Sequence, residues 1–201
     1  MTLLYRTDLK LKTFLVSLFF GVYSLQTLAG EVHFNQVEVK RENKEKIIFV
    51  FSLNLTQALH QLLAPQSPFA EFLTKYAELP ELDFQNALKS ATSQLSGSSF
   101  FVLSSGAKVI FKNWQLPSNN ALRELFKANL FLLQLPPGPQ SHLPPAVVQA
   151  EMQTKTAINR AQLQLHKALH PIFVKVQQDQ FWLTHQIPMA VVNFELTEIV
   201  H

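Results

Sequence analysis

Histidine is the residue type whose spacing in this chain comes closest to a catalytic or metal-binding pattern. Three histidines, His166, His170 and His185, lie close together near the C-terminus. His166 and His170 have the i, i+4 spacing with which a helix presents two imidazoles to zinc. Pro171 interrupts any helix at this point, and no glutamate follows His166 to complete a metalloprotease motif. We therefore expect these histidines at turns and strand ends, with a metal site as the lesser alternative, and we expect no cofactor.

Other catalytic patterns are missing from the sequence. It contains no G-x-S-x-G motif, and Ser104-Ser105-Gly106 is typical of a hairpin turn rather than a nucleophile elbow. The glycines are isolated and cysteine is absent, which excludes phosphate-binding loops and a thiolate catalyst. Asp179 and His185 have the residue types of a Ser-His-Asp triad, but nothing in the spacing identifies the serine. The sequence therefore favours a protein that is not an enzyme.

Aromatic residues supply the candidate binding surface. Phe173 and Trp182 fall on the same predicted hairpin as other aromatic side chains, so both faces of that hairpin are expected to be covered, one of them by a ligand or a partner. Phe131 lies in a helix whose end is apolar nearly all round, and Trp114 belongs to an earlier strand. These four residues are the candidate surface, and burial in an ordinary core is the alternative.

The start of the chain predicts a secretory signal peptide. Basic residues precede an uncharged apolar run, Thr13 to Tyr23, and Thr27-Leu28-Ala29 has the small residues of a cleavage site. We expect residues 1–29 to be removed and residues 30–201 to form a single exported domain, in the periplasm because cysteine is absent. The alternative is an uncleaved segment that anchors the chain in the inner membrane, and membrane contact is expected only in that case.

The charge of the mature chain excludes nucleic acid as a partner. The whole chain has 17 basic and 14 acidic residues, and the first 29 residues hold three of the basic ones and one acidic one. The remainder therefore carries a net charge of only +1 and has no basic stripe. Phosphate binding requires clustered lysine and arginine, so we expect no nucleic-acid binding.

The stretch Lys167 to Leu196 is the longest strand-like sequence, and the rest of the chain is expected to pack around it. Alternating apolar residues predict further hairpins over Glu31–Leu55 and Ser99–Leu116. Helical spacing predicts four helices, at Thr56–Ala64, from Pro68, over Asp83–Leu95 with Asp83 as its cap, and from about Ala121. We predict an α+β fold in which one antiparallel sheet of several hairpins carries three or four helices on one face. A β-sandwich with helical insertions is the alternative.

Three functions are compatible with these features. The first is a non-catalytic exported domain, an accessory or assembly factor that binds another envelope protein. The second is a carrier of a small molecule or lipid in an apolar cavity between sheet and helices. The third is a hydrolase or metal-binding protein that uses the C-terminal histidines.

Overall fold

Ten β-strands and four α-helices form the part of the chain that the computed structural model describes, residues 34–43, 45–136, 143–154, 158–177 and 179–194. These residues belong to one unit, His33–His201, and the predicted signal peptide lies outside them. The comparable amounts of helix and strand confirm the α+β class.

The helices are inserted between strands in two places. They are α1 (Leu55–Leu63), α2 (Phe69–Glu78), α3 (Glu81–Ser98) and α4 (Asn119–Leu132). The strands are β1 (Asn35–Arg41), β2 (Lys46–Leu53), β3 (Phe100–Leu103), β4 (Lys108–Ile110), β5 (Lys112–Gln115), β6 (Ala146–Gln153), β7 (Arg160–Gln164), β8 (Ile172–Val176), β9 (Asp179–Leu183) and β10 (Met189–Asn193). A short 3₁₀ turn, Lys167–Leu169, precedes β8. None of the described helices combines the length and the hydropathy needed to cross a bilayer.

The strands form two sheets rather than the one that we predicted. The six-stranded sheet has the order β5-β6-β2-β1-β8-β9, and the four-stranded sheet has the order β10-β7-β3-β4. All pairs are antiparallel except β1 with β8, which pair in parallel where the two hairpins β1–β2 and β8–β9 lie side by side. The predicted hairpin β8–β9 is present, but β10 leaves it and pairs with β7 in the other sheet.

Phe111 explains why a single predicted strand is divided between the two sheets. The sequence from Lys108 to Leu116 reads as one strand, yet it breaks at Phe111, between β4 and β5. The Phe111 side chain is fully buried and stacks on Phe49 of β2 at 3.9 Å between ring centroids. Burial of this ring therefore turns the chain from one sheet into the other, and the positive φ of Asn113 accompanies the irregular pairing of β5 with β6.

The two sheets share one core. The inner face of the six-stranded sheet is apolar on every central strand, because alternate residues of β2 and β1 are buried. Phe49 of β2 contacts Phe101 of β3 at 5.7 Å between centroids, and Phe101 in turn contacts Phe194 at 5.7 Å. These ring contacts join the inner faces of the two sheets as in a sandwich.

Local sequence signals fix the ends of the helices. The Asn54 side chain accepts a hydrogen bond from the Gln57 N–H at 3.3 Å, and Ser118 accepts one from the Ala121 N–H at 3.3 Å, so both are N-caps. The prediction that Asp83 caps α3 is wrong. Pro80 precedes the first helical residue and fixes an earlier start, which leaves Asp83 inside the first turn.

Arg123 ties three helices together. Its guanidinium donates to the carbonyl oxygens of Ala77 at 2.8 Å and Leu79 at 2.6 Å, at the end of α2. It also lies 4.3 Å from the ring centroid of Phe84 in α3. One side chain of α4 therefore caps α2 and packs on α3.

Candidate functional site

The outer face of the six-stranded sheet carries the first candidate surface. At one end of this face the rings of Phe34, Phe173 and Trp182 contact one another, with centroids 4.9 to 6.1 Å apart. We call these three residues the aromatic cluster. Phe34 is 45% exposed and Trp182 is 41% exposed, so the cluster faces solvent. The structure thus brings together two of the predicted surface residues and adds Phe34, which the sequence reading missed.

Strand register explains why these rings meet. Phe173 of β8 pairs with Trp182 of β9, and Gln36 of β1 pairs with Phe173, so Phe34 extends the same face by two residues. One uncharged row of side chains crosses five strands here, made of Val147, Ser52, Gln36, Phe173 and Trp182. The next row contains Glu38 and Lys175, and charge therefore begins one step away from the cluster.

Asn35 fixes the backbone beneath the aromatic cluster. Its side-chain oxygen accepts from the Asn54 N–H at 2.8 Å, and its side-chain nitrogen donates to the Leu169 carbonyl oxygen at 3.1 Å. These bonds connect the start of β1 with the start of α1 and with the 3₁₀ turn before β8. The neighbour of Phe34 in the chain is therefore hydrogen-bonded to the segment that leads into β8, where Phe173 lies.

The end of α4 lies at the same end of the sheet. A cavity of about 80 Å³ is lined by Phe34, by Leu125 and Asn129 of α4, and by the segment before β6. Beyond Asn129 the last turn of the helix and the residues that follow it carry exposed apolar side chains at Phe131, Leu133 and Leu135. Phe131, a third predicted surface residue, thus stays exposed to solvent, two residues beyond Asn129. Trp114 does not, because it packs inside against Phe51 at 5.2 Å, with its Nε1 buried and unpartnered among the described residues.

The outer face of the four-stranded sheet is the second candidate surface. We call it the apolar sheet face, and its exposed apolar residues are Ile110, Met189 and Val191. Two rows cross it, Met189–Gln164–Phe100–Ile110 and Val191–Gln162–Val102–Lys108. Neither row contains an acidic residue, and the Lys108 ammonium lies 4.6 Å from the Phe100 ring centroid. The sequence reading missed this face, because Met189–Val192 are four consecutive apolar residues, and which side of the strand is buried depends on its pairing with β7.

The three candidate histidines lie at the connections between the sheets. His166 and His170 belong to the segment from β7 to β8, and His185 belongs to the loop from β9 to β10. The rings of His170 and His185 are 5.6 Å apart. His166 Nδ1 accepts from the Ala168 N–H at 3.0 Å, which occupies one of its nitrogens. Within the described residues, no group of three or more His, Asp or Glu side chains is placed to hold a metal ion.

His170 is the most perturbed of these groups. It is 5% exposed, and neither ring nitrogen has a hydrogen-bond partner among the described residues. Burial is the main cause that lowers the pKa of His170 from 6.5 to about 4, and the nearby His185 and His166 contribute to the same shift. The Thr184 backbone opposes this shift without reaching hydrogen-bonding geometry to either nitrogen. Burial also lowers the pKa of His166, and the charge of Lys167 is a smaller cause of the same shift.

A second opening differs in chemistry from the apolar surfaces. It is a groove of about 580 Å³ along the β1–β2 turn, lined by Glu38–Asn43 and Gln177. Its charged side chains are partly paired, with Lys40 Nζ 2.9 Å from a Glu38 carboxylate oxygen. An open groove with charges of both signs does not resemble an apolar ligand pocket.

Comparison with models of protein families, with curated proteins and with solved structures finds no match for this chain. What the described surfaces can do chemically follows from their geometry. That geometry comprises two exposed apolar surfaces, a buried histidine between the sheets, and a small cavity.

Proposed function

We propose that this chain is a non-catalytic exported domain, an accessory or assembly factor that binds another envelope protein through the apolar sheet face. The observation that carries the proposal is that face itself. Three exposed apolar side chains, Ile110, Met189 and Val191, stand around the amides of Gln162 and Gln164. The opposite side of the same sheet is buried in the core.

The composition of the face is that of the centre of a protein interface. Such centres are depleted of charge, and methionine is enriched there, while amide groups supply hydrogen bonds. The only charged residues on the paired rows are basic, Lys108 and, at the margin, Arg160. We therefore expect the partner to present an apolar patch with a carboxylate near its edge.

The described cavities weigh against the carrier alternative. A drug-sized ligand occupies roughly 300–1,000 Å³, whereas the cavity beside Phe34 measures about 80 Å³ and the larger groove is open and charged. The histidines also weigh against a metal enzyme. His170 is buried, and no acidic group is among the causes of its pKa shift.

A pair of matched substitutions tests the proposal. Val191→Lys places a charge in the apolar sheet face, and Val147→Lys places the same charge on the other sheet at a similar exposure, 47% against 56%. The wild-type chain is first cross-linked in the envelope, and the captured partner is identified. The affinity of the purified partner is then measured for the wild-type chain and for each variant. A lysine desolvated in an interface should weaken binding by at least about tenfold, roughly 1.4 kcal/mol, for Val191→Lys alone.

Thermal unfolding shows whether both variants remain folded. Equal affinity of the Val191→Lys and wild-type chains for the same partner would refute the assignment of this face. Loss of binding in Val147→Lys alone would indicate that the partner binds the six-stranded sheet instead.

A further inference from the structure

The last strand of the four-stranded sheet has a free edge. Among the described strands β10 pairs with β7 alone, so its other side has no neighbour. The Phe194 N–H donates to the Asn159 carbonyl oxygen at 2.7 Å, and this pair continues the register of β10 with β7. Hydrogen-bonded pairs alternate along an antiparallel ladder, so every second residue of β10 faces away from β7. The residues that direct their N–H and C=O groups away from β7 are Met189, Val191 and Asn193.

The opposite side of the sheet gives the same alternation. The Leu103 N–H donates to the Ala107 carbonyl oxygen at 2.9 Å, in the register of β3 with β4. Alternation across β3 then assigns the backbone groups of Gln162 and Gln164 to β3, and it leaves the residues between and beside them for β10. Val191, which is opposite Gln162, therefore has no backbone partner among the described residues.

The edge of β10 is the least protected of the four sheet edges that the structure describes. The other three edge strands, β4, β5 and β9, begin with Lys108, Lys112 and Asp179. In addition β4 has only three residues, and β5 pairs irregularly with β6. β10 has five residues and no charge, and its outward-facing residues are exposed. Charges, short strands and bulges prevent unwanted strand pairing, and β10 lacks all three.

We propose that β10 pairs in antiparallel orientation with β10 of a second copy of this chain. A two-fold axis at Val191 sets this residue against Val191 of the second copy, and it sets Met189 against Asn193 of the second copy. The outward N–H groups of each strand then donate to the outward carbonyl oxygens of the other. The two four-stranded sheets become one continuous sheet. This pairing goes beyond the binding of an envelope protein and does not depend on it.

The occupant is a second copy because β10 is complementary to itself. Pairing about Val191 places valine beside valine on the outer face, and it places Ala190 beside Val192 of the second copy on the inner face. The nearest charged residue of the sheet is Arg160, which is opposite Asn193. The two-fold axis keeps Arg160 and its counterpart at opposite ends of the new ladder, so like charges do not meet. Such a contact uses both free edges and closes at two copies.

The pairing leaves the apolar sheet face open. Side chains stand roughly perpendicular to a sheet, so a strand added at the edge lies beside Met189 and Val191 without covering them. These residues are 39% and 47% exposed, and in the pair they form one apolar stripe with their counterparts. A dimer would therefore present two adjoining copies of the apolar sheet face to an envelope protein.

The absence of cysteine from the chain allows a test with single introduced cysteines. Directly opposed residues in a hydrogen-bonded antiparallel pair lie about 5.5 Å apart between Cα atoms, within the range of a disulfide. The chain is expressed from Met1, purified and mildly oxidised, and the disulfide-linked dimer is measured on a non-reducing gel. Val147→Cys is the matched control, because it is similarly exposed and belongs to the other sheet. Val191→Cys should cross-link at least about tenfold faster than Val147→Cys, since pairing raises the effective concentration of the two thiols.

The register is tested by Met189→Cys and Asn193→Cys, which also serve if Val191→Cys does not fold. The two variants should cross-link when they are mixed, because the two-fold axis sets these positions against each other. Neither should cross-link alone, because each residue is four positions along the ladder from its counterpart, about 13 Å. Val191→Pro removes the outward N–H without a bond to β7, so it should lower the dimer fraction in sedimentation, whereas Val191→Thr should keep it.

Equal cross-linking of Val191→Cys and Val147→Cys would overturn the proposal, and so would a mixture of Met189→Cys and Asn193→Cys that cross-links no faster than either alone. Cross-linking of Val191→Cys to a different protein would also overturn it, because the occupant would not be a second copy. Ile110→Lys separates this proposal from the proposed function, because it charges the apolar sheet face at the opposite edge. Cross-linking of Val191→Cys that persists in the Ile110→Lys chain supports the dimer, whatever happens to the binding of the envelope protein.

Discussion

The two sheets bury similar inner faces but expose different outer ones. Both inner faces are apolar and meet through phenylalanine rings, as Phe49, Phe101 and Phe194 show. The outer face of the six-stranded sheet carries the aromatic cluster at one end and ion pairs further along the strands. One of these pairs places Lys46 Nζ 3.4 Å from a Glu151 carboxylate oxygen. The paired rows of the apolar sheet face carry no acidic residue.

The two outer faces therefore suit different roles. Where a face carries ion pairs, each charge already has a partner and is hydrated. Covering such a surface with another molecule therefore adds little binding free energy. A face of exposed apolar side chains and amides gains when a partner covers it. The shared core therefore explains the fold, while the contrast between the outer faces carries the function that we propose.

Phe194→Ala tests whether the two sheets share one core, and it should have the largest effect on stability. Phe194 is fully buried, its ring contacts Phe101, and its N–H donates to the Asn159 carbonyl oxygen at 2.7 Å. Loss of this ring should lower the free energy of unfolding by about 3–5 kcal/mol, measured by urea titration. Phe131→Ala is the matched control, because that ring is 61% exposed and should cost less than about 0.5 kcal/mol. Equal losses would mean that the sheets do not share the core described above.

His170, at the connection between the two sheets, should make the stability of the fold depend on pH. The pKa of His170 is about 4 in the folded chain against 6.5 in its ordinary state. The unfolded chain therefore binds the proton first as pH falls, and stability decreases between pH 6.5 and 4. The loss at the acid end is at most about 3.4 kcal/mol, and the lowered pKa of His166 acts in the same direction.

His170→Leu should flatten this dependence, as measured by urea unfolding at a series of pH values. His60→Leu, which removes a histidine bonded to the Ser67 carbonyl oxygen, controls for the loss of any histidine. A pH profile of His170→Leu that overlays the wild-type profile would show that the imidazole is not buried between the sheets as described.

The smallest effect is expected from the charged end of the six-stranded sheet. A hydrogen bond from the Asn113 amide lowers the pKa of Glu151, and Lys46 contributes to the same shift to a lesser extent. Glu151→Gln should therefore cost a little stability at neutral pH, and the cost should shrink at low pH and at high salt. Urea titrations at two salt concentrations measure it. A large loss that ignores salt would mean that these charges support the fold and that the two outer faces differ less than we argue.

Several elements were predictable because their signals are local. The cap at Asn54, the stop at Pro80 and the β8–β9 hairpin depend on residues a few positions apart. The aromatic cluster was half predictable, since Phe173 and Trp182 are neighbours on one hairpin. Phe34 joins them only because β1 pairs in parallel with β8, and its sequence distance from Trp182 gave no sign of this.

Sequence alone determined the elements, the α+β class and the poverty of catalytic motifs, because propensity, capping and period act over a few residues. The tertiary structure decided which sheet each strand joined, as at Phe111, where burial of one ring divides a continuous strand-like run. It also decided which apolar residues stay outside, so that Trp114 is half-buried against the core while Trp182 faces solvent. Both outcomes depend on long-range pairing, and the free energy of burial that selects among pairings belongs to the whole core rather than to any short segment.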